Sequence, residues 1–221
     1  MGNSVVRNRE TPDKLETEGN LNLTDLASRF DTGAYLTPHS DIVALMVLEH
    51  QTHMSNLITR VGFEARMALH QQAGINQALK RPPDEMSEST RRRIGNAVEE
   101  MLDYMLFLEE TPLRSPVKGT SGFARVFSSR GPRDSRNRSL RELDLETRLF
   151  RYPLSYMIYT EAFDEMPTIA RDRLWRRLWE VLTGHDNNAR FARLTAADRK
   201  AILEILRDTK KNLPAYWTDQ A

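Results

Sequence analysis

Residues 48–60, LEHQTHMSNLITR, set Glu49, His50, His53 and Met54 within six positions of an otherwise apolar run. A carboxylate, two imidazoles and a thioether are the side chains that ligate metals or haem iron. Two histidines three residues apart stand on one helix face and can share an ion, and Glu49 lies one turn from His53. Glu99, Glu100 and Asp103 further along the chain have the chemistry to complete such a set. The spacing matches no hydrolytic zinc motif, since H-E-x-x-H separates its histidines by four with a glutamate between them. A di-iron carboxylate bundle needs E-x-x-H, and Glu49 finds Thr52 there.

The opposing reading is a core helix that carries histidines. On a helical wheel of about 100° per residue, His50 falls about 100° from Glu49 and His53 about 40°. The mean apolar direction of residues 42–69 is near 105°, roughly that of His50. His50 therefore points into the apolar face, with His53 beside it and Glu49 at the edge. The spacing favours structural histidines over a metal site. A buried neutral imidazole needs a partner from another element, and Glu100, Asp103 and Tyr104 are the candidates.

The elements that position these residues are helices. A helix is expected over 41–72, with Ser40 as its cap and Gly62 marking a kink or a close approach. Residues 73–90 read as a loop broken by Pro82-Pro83. Ser87 or Ser89 caps a second helix running to Glu110, with its stripe on Ile94, Val98, Met101, Leu102, Met105 and Leu108. Ser139 caps a third over 140–152, and residues 154–163 form another helical piece. Pro167 opens and Gly184 closes the next. Thr195 caps the last, with Asp198 at its third position. No alternating strand pairs appear. The architecture is all-α, an irregular bundle of about five or six helices. A polar arm (1–38, with one short turn at 23–30) precedes a single helical domain (39–221) with an Arg-rich connector at 112–138.

Composition excludes more than it selects. The chain has 221 residues, 32 basic against 31 acidic, and a formal net charge of +1, so no global charge favours nucleic acid or membrane. There is no cysteine, which excludes thiolate metal sites, a cysteine nucleophile and covalent haem attachment within this chain. No apolar run is long enough for a transmembrane segment, and residues 1–9 lack a signal-peptide core. No G-x-S-x-G, G-x-x-x-x-G-K or G-x-G-x-x-G occurs. His39, His70 and His185, in turns or near a helix end, read as structural or solvated. The connector arginines, Arg125 to Arg141, read as tied down by Glu99, Glu100, Asp103, Glu109 and Glu110 rather than as an anion clamp. Trp175 and Trp179 read as a core seam under arginine stems.

Several stretches together carry a resemblance: TGAYLTPHSDIVALMVLEHQTHMSNLITR, SRGPRDSRNRSLRELDLETRLFRYP, RRLWEVLTG, and LTAADRKAILEILRDTK followed by LPAYW. Over nearly the whole chain the sequence resembles the C-terminal region of secreted, cytochrome-c-like bacterial proteins of unassigned function. In that family a C-x-x-C-H haem site lies upstream of a Met-Gly-Asn, which Met1-Gly2-Asn3 would match. Leu154 stands where such relatives carry cysteine, which removes any argument from a thiol. The resemblance implies a non-enzymatic helical domain of a periplasmic or secreted electron-transfer protein, packed beside an upstream haem domain or cytochrome partner. It implies haem as the cofactor, with His50, His53 and Met54 as pocket or axial groups. With no signal peptide in the chain, the cytoplasm stays open. The alternatives are a metal-dependent enzyme using Glu49, His50 and His53, and a plain helical interaction domain.

Overall fold

In the computed structural model, which describes residues 25–38 and 40–217, a 38-residue helix α1 (Ile42–Leu79) is the longest element. Its buried positions Val43, Val47, His50, Met54, Leu57, Ile58, Val61, Ala65 and Ala68 recur every three or four residues. That stripe packs chiefly on α2 (Glu88–Met105), which packs in turn on α5 (Thr168–Leu182), and α5 on α6 (Ala196–Thr209). Between α2 and α5 lie α3 (Phe123–Ser129), a 3-10 turn (Tyr156–Tyr159) and α4 (Glu161–Asp164). The described residues hold six α-helices and no strand, and one apolar core spans α1 to Trp217. No helix among them is long and apolar enough to cross a membrane.

Several boundaries differ from the sequence-based expectation. Asp41, not Ser40, caps α1, accepting from the Val43 and Ala44 N–H groups at 2.9 and 3.1 Å. The same carboxylate accepts from the Ser121 N–H at 2.9 Å, tying the connector to the start of α1. Helix α1 runs unbroken through Gly62 and seven residues past Gln72 to Leu79, so residues 73–79 are not loop. Polar residues hold this last stretch. Gln72 donates to Asn76 Oδ1 (2.7 Å), and Asn76 donates to the Glu85 carbonyl (2.8 Å). Gln72 Oε1 also accepts from the Ser87 and Thr90 hydroxyls at 2.6 and 2.7 Å. Because its buried partners are amides, this turn has no apolar period to read.

Helix α2 is capped by Ser87 and ends at Met105, five residues before Glu110. Phe107 then takes a left-handed backbone conformation (φ 55°) that turns its ring back toward α1. The third expected helix does not form. Residues 140–152 are turns with a single antiparallel bridge, Leu143 to Phe150. Asp144 explains this: its Oδ1 accepts from the N–H groups of Glu146 and Thr147 at 2.8 and 2.6 Å, the local bonding that competes with a helix. Ser139 accordingly caps no helix. Residues 154–163 form only the 3-10 turn and the start of α4. Pro167 before α5 and Gly184 after it (φ 78°) stand as expected, and α3 forms a short helix within the connector. In the arm, the Arg29 N–H donates to the Leu26 carbonyl at 2.8 Å, within the expected turn. Residues 1–24, with Met1-Gly2-Asn3, and His39 lie outside the described residues.

Helix α6 opens on the expected capping box. The Thr195 hydroxyl accepts from the Asp198 N–H (3.0 Å), and Asp198 Oδ2 accepts from the Thr195 N–H (3.2 Å). Thr195→Ala should cost about 1 kcal/mol, read as a lower urea midpoint at unchanged m-value.

Candidate functional site

Helices α1 and α2 and the turn after α2 enclose a cleft of about 760 Å³, lined among others by Glu49, His50, His53, Asp103, Tyr104 and Phe107. His50 is 3% exposed at its wall. Its ring stacks on Phe107 (centroids 4.7 Å apart) and Tyr104 (5.4 Å) and makes a T-shaped contact with Phe150 (centroids 5.4 Å apart). His53 packs against the same Tyr104, with ring centroids 4.3 Å apart. Sequence reasoning thus placed His50 in the core and brought Glu49, His50 and His53 to one cleft. Met54 is fully buried and does not line it.

The partner of His50 is none of the three expected. Its Nε2 lies 2.8 Å from the Ser155 hydroxyl, 105 residues away. The Ser155 oxygen already accepts from the Met157 N–H at 3.2 Å, and its backbone N–H donates to the Met105 carbonyl at 2.9 Å. Counting unmet groups then favours one imidazole tautomer. If the serine hydroxyl donates to Nε2, the ring proton sits on Nδ1 and one donor is unmet. If Nε2 donates, both the hydroxyl proton and the Nδ1 lone pair are unmet. The first arrangement leaves fewer buried polar groups unsatisfied and is favoured. Nδ1 is buried with no protein partner. Burial and the nearby His53 hold the His50 pKa down to about 4, so the ring is neutral at pH 7.

Across the cleft, Asp103 has one oxygen on Arg190 (3.0 Å), while its Oδ1 is buried with no partner. Burial raises the Asp103 carboxyl above its ordinary value against the opposing pull of Arg190. Glu110 is also raised by burial although it accepts from the Leu149 N–H at 2.9 Å. Burial and the charges of Glu49 and Glu110 push the Tyr104 phenol up to about 12. Five carboxylates line the cleft, Glu49, Glu100, Asp103, Glu109 and Glu110, and no lysine or arginine does. Glu100 is paired with Arg60 at 2.5 Å, whereas Glu49 and Glu109 have no cation partner among the described residues.

This donor set does not suit a metal or haem. No group of three His or carboxylate side chains among the described residues converges on a point that could hold a metal ion. Haem propionates are anionic and would face five carboxylates with no basic side chain to receive them. The remaining sequence candidates are structural. Arg133 pairs with Glu142, and Arg138 with Asp134 and Glu204, so the connector is tied down, though by other acids than expected. Glu99 is taken by Arg177 and Arg190. His70 is exposed well inside α1, and His185 stacks on Trp179 at 4.7 Å. Sequence reasoning missed Ser155 as a partner, and Phe107 and Phe150 as walls; nothing in their local spacing points to His50.

No protein-family model, no curated protein and no solved structure matches the chain.

Proposed function

We propose that the protein is a non-enzymatic helical binding domain whose α1–α2 cleft holds a small organic cation that also carries a hydrogen-bond acceptor. One observation carries this reading. His50 Nδ1, a donor in the favoured tautomer, and the acceptor Asp103 Oδ1 are both buried without protein partners, in two residues that line one acid-rimmed cleft. Unmatched buried polar atoms each cost roughly 1–3 kcal/mol, so a ligand that matches both gains that free energy on binding. The Tyr104 and Phe107 rings add the π faces that attract an ammonium group. The cleft volume of about 760 Å³ lies within the usual range for small-molecule sites.

The test is a titration with ethanolamine and choline, with acetate as the control, followed by the imidazole NMR signals of His50. Ethanolamine should shift them saturably, and Asp103→Asn together with Glu49→Gln should weaken binding about tenfold, equivalent to roughly 1.4 kcal/mol. Undisturbed His50 signals at millimolar cation would sink the proposal.

A second reading is favoured by Leu45 and Leu48, exposed on α1 next to Glu49 and His53 at the cleft edge. A lysine or arginine of a protein partner would then enter the cleft while those leucines meet its apolar neighbours. In the electron-transfer setting that the resemblance implies, that partner is the upstream haem domain or a cytochrome. Leu45→Ser with Leu48→Ser should abolish such docking and leave ethanolamine binding untouched.

A further inference from the structure

A second cleft, of about 720 Å³, shares no lining residue with the first and has the opposite charge. Its walls come from the start of α5 and from the segment after α6. They carry Arg171, Arg173, Arg176, Lys210 and Lys211 against Asp164 and Asp172. Asp164 is already occupied by Lys210 at 2.6 Å, and its backbone carbonyl accepts from Arg171. Arg173, Arg176 and Lys211 have no carboxylate partner among the described residues. The chain does not lack acids, with 31 for 32 cations, and the next arginine in sequence shows how it uses them. Arg177 is gripped by Glu99, Glu180 and Asp186 at 2.5–2.6 Å. Asp172 is the lining carboxylate left to balance these three solvent-exposed cations, so the concavity keeps a net positive charge that attracts an anion.

Two of these cations are held in place. The Arg176 guanidinium stacks on the Tyr216 ring, 3.8 Å from its centroid, which leaves its edge donors free. The Arg173 guanidinium lies over Gly95 of α2, where a Cβ would come within 2.5 Å of it. Trp175, which lines the cleft, stands 5.3 Å from Trp217.

We infer that this cleft binds a small polyanion through phosphoryl or carboxylate oxygens, with Arg176 as the bidentate ligand and Arg173 and Lys211 as point charges. A guanidinium fork matches two oxygens of such a group, and stacking fixes the fork beforehand, which lowers the ordering cost of binding. A nucleic-acid strand is the poorer occupant, because no run of exposed aromatic rings accompanies the cations.

The 221-residue chain is titrated with pyrophosphate and, separately, with citrate, against sodium chloride at matched ionic strength, reading tryptophan emission and thermal midpoint. Pyrophosphate should change both saturably, and Arg176→Gln with Lys211→Gln should weaken its binding at least about tenfold. Arg176→Lys should recover only part of that loss, since the charge returns without the fork. Citrate binding tighter than pyrophosphate would confirm the site and assign it to carboxylates. Equal responses to chloride, or a double variant that folds and binds pyrophosphate like the parent, would overturn the inference.

Discussion

His50→Ala should destabilise the protein by roughly 3–4 kcal/mol, and His50→Leu by only about 1–2 kcal/mol. The alanine change removes a ring stacked between Phe107 and Tyr104 and leaves a void where neighbours relax only in part. It also strands the Ser155 hydroxyl, whose proton has only Nε2 to meet. Leucine restores most of the volume and leaves the serine penalty alone. Adding Ser155→Ala to His50→Leu should then recover only part of that penalty, because it removes the stranded hydroxyl but also the acceptor of the Met157 N–H. Urea unfolding of the four proteins measures this. A His50→Ala chain that unfolds at the parent's midpoint would remove His50 from the core in all but position. A Ser155→Ala change that costs His50→Leu further stability would mean that the bond from the Met157 N–H outweighs the stranded hydroxyl.

That experiment also bears on which features the sequence could reveal. The burial of His50 was legible because helical spacing is a local property, and Val43, Val47, Met54 and Leu57 fix the buried face within a few turns. The capping box at Thr195 and the turn at Gly184 were legible for the same reason. The serine was not, because it is 105 residues away and reaches His50 only through the fold of residues 140–155. That segment reads as a helix by composition, yet Asp144 draws its backbone into a turn and Leu145 adopts a left-handed conformation (φ 62°). The extension of α1 past Gln72 was hidden for the opposite reason. Its interior contacts are the Gln72 and Asn76 amides, which a reading of apolar period counts as surface. In both cases polar side chains bonding the backbone or one another decided the structure. Hydrophobic pattern does not record that.

Acidification should expose the same histidine thermodynamically. The unfolded chain protonates His50 near pH 6.5, whereas the folded chain resists until about pH 4. Between those values the unfolded state binds the extra proton, so stability falls as pH falls through this window. It levels above about pH 7 and below about pH 4. One pH unit of a fully linked proton is worth about 1.4 kcal/mol, so the loss approaches roughly 3 kcal/mol. Other groups face the ring. Glu49 and His53 stand on α1, Asp103 and Tyr104 on α2, and Glu110 beyond it. Tyr104, pushed up to about 12, does not titrate here. Asp103 and Glu110 act with the opposite sign, since a raised carboxyl takes up its proton first in the folded state and adds stability as pH falls. Subtracting the pH profile of His50→Leu removes these common contributions. The parent should lead that variant near pH 7, lose its lead on acidification, and fall behind it by about pH 5. Parallel profiles from pH 7 to 4 would show that the folded ring titrates as freely as the unfolded one. In that case it could not be the neutral, serine-bound imidazole on which the cleft's unmatched Nδ1 donor depends.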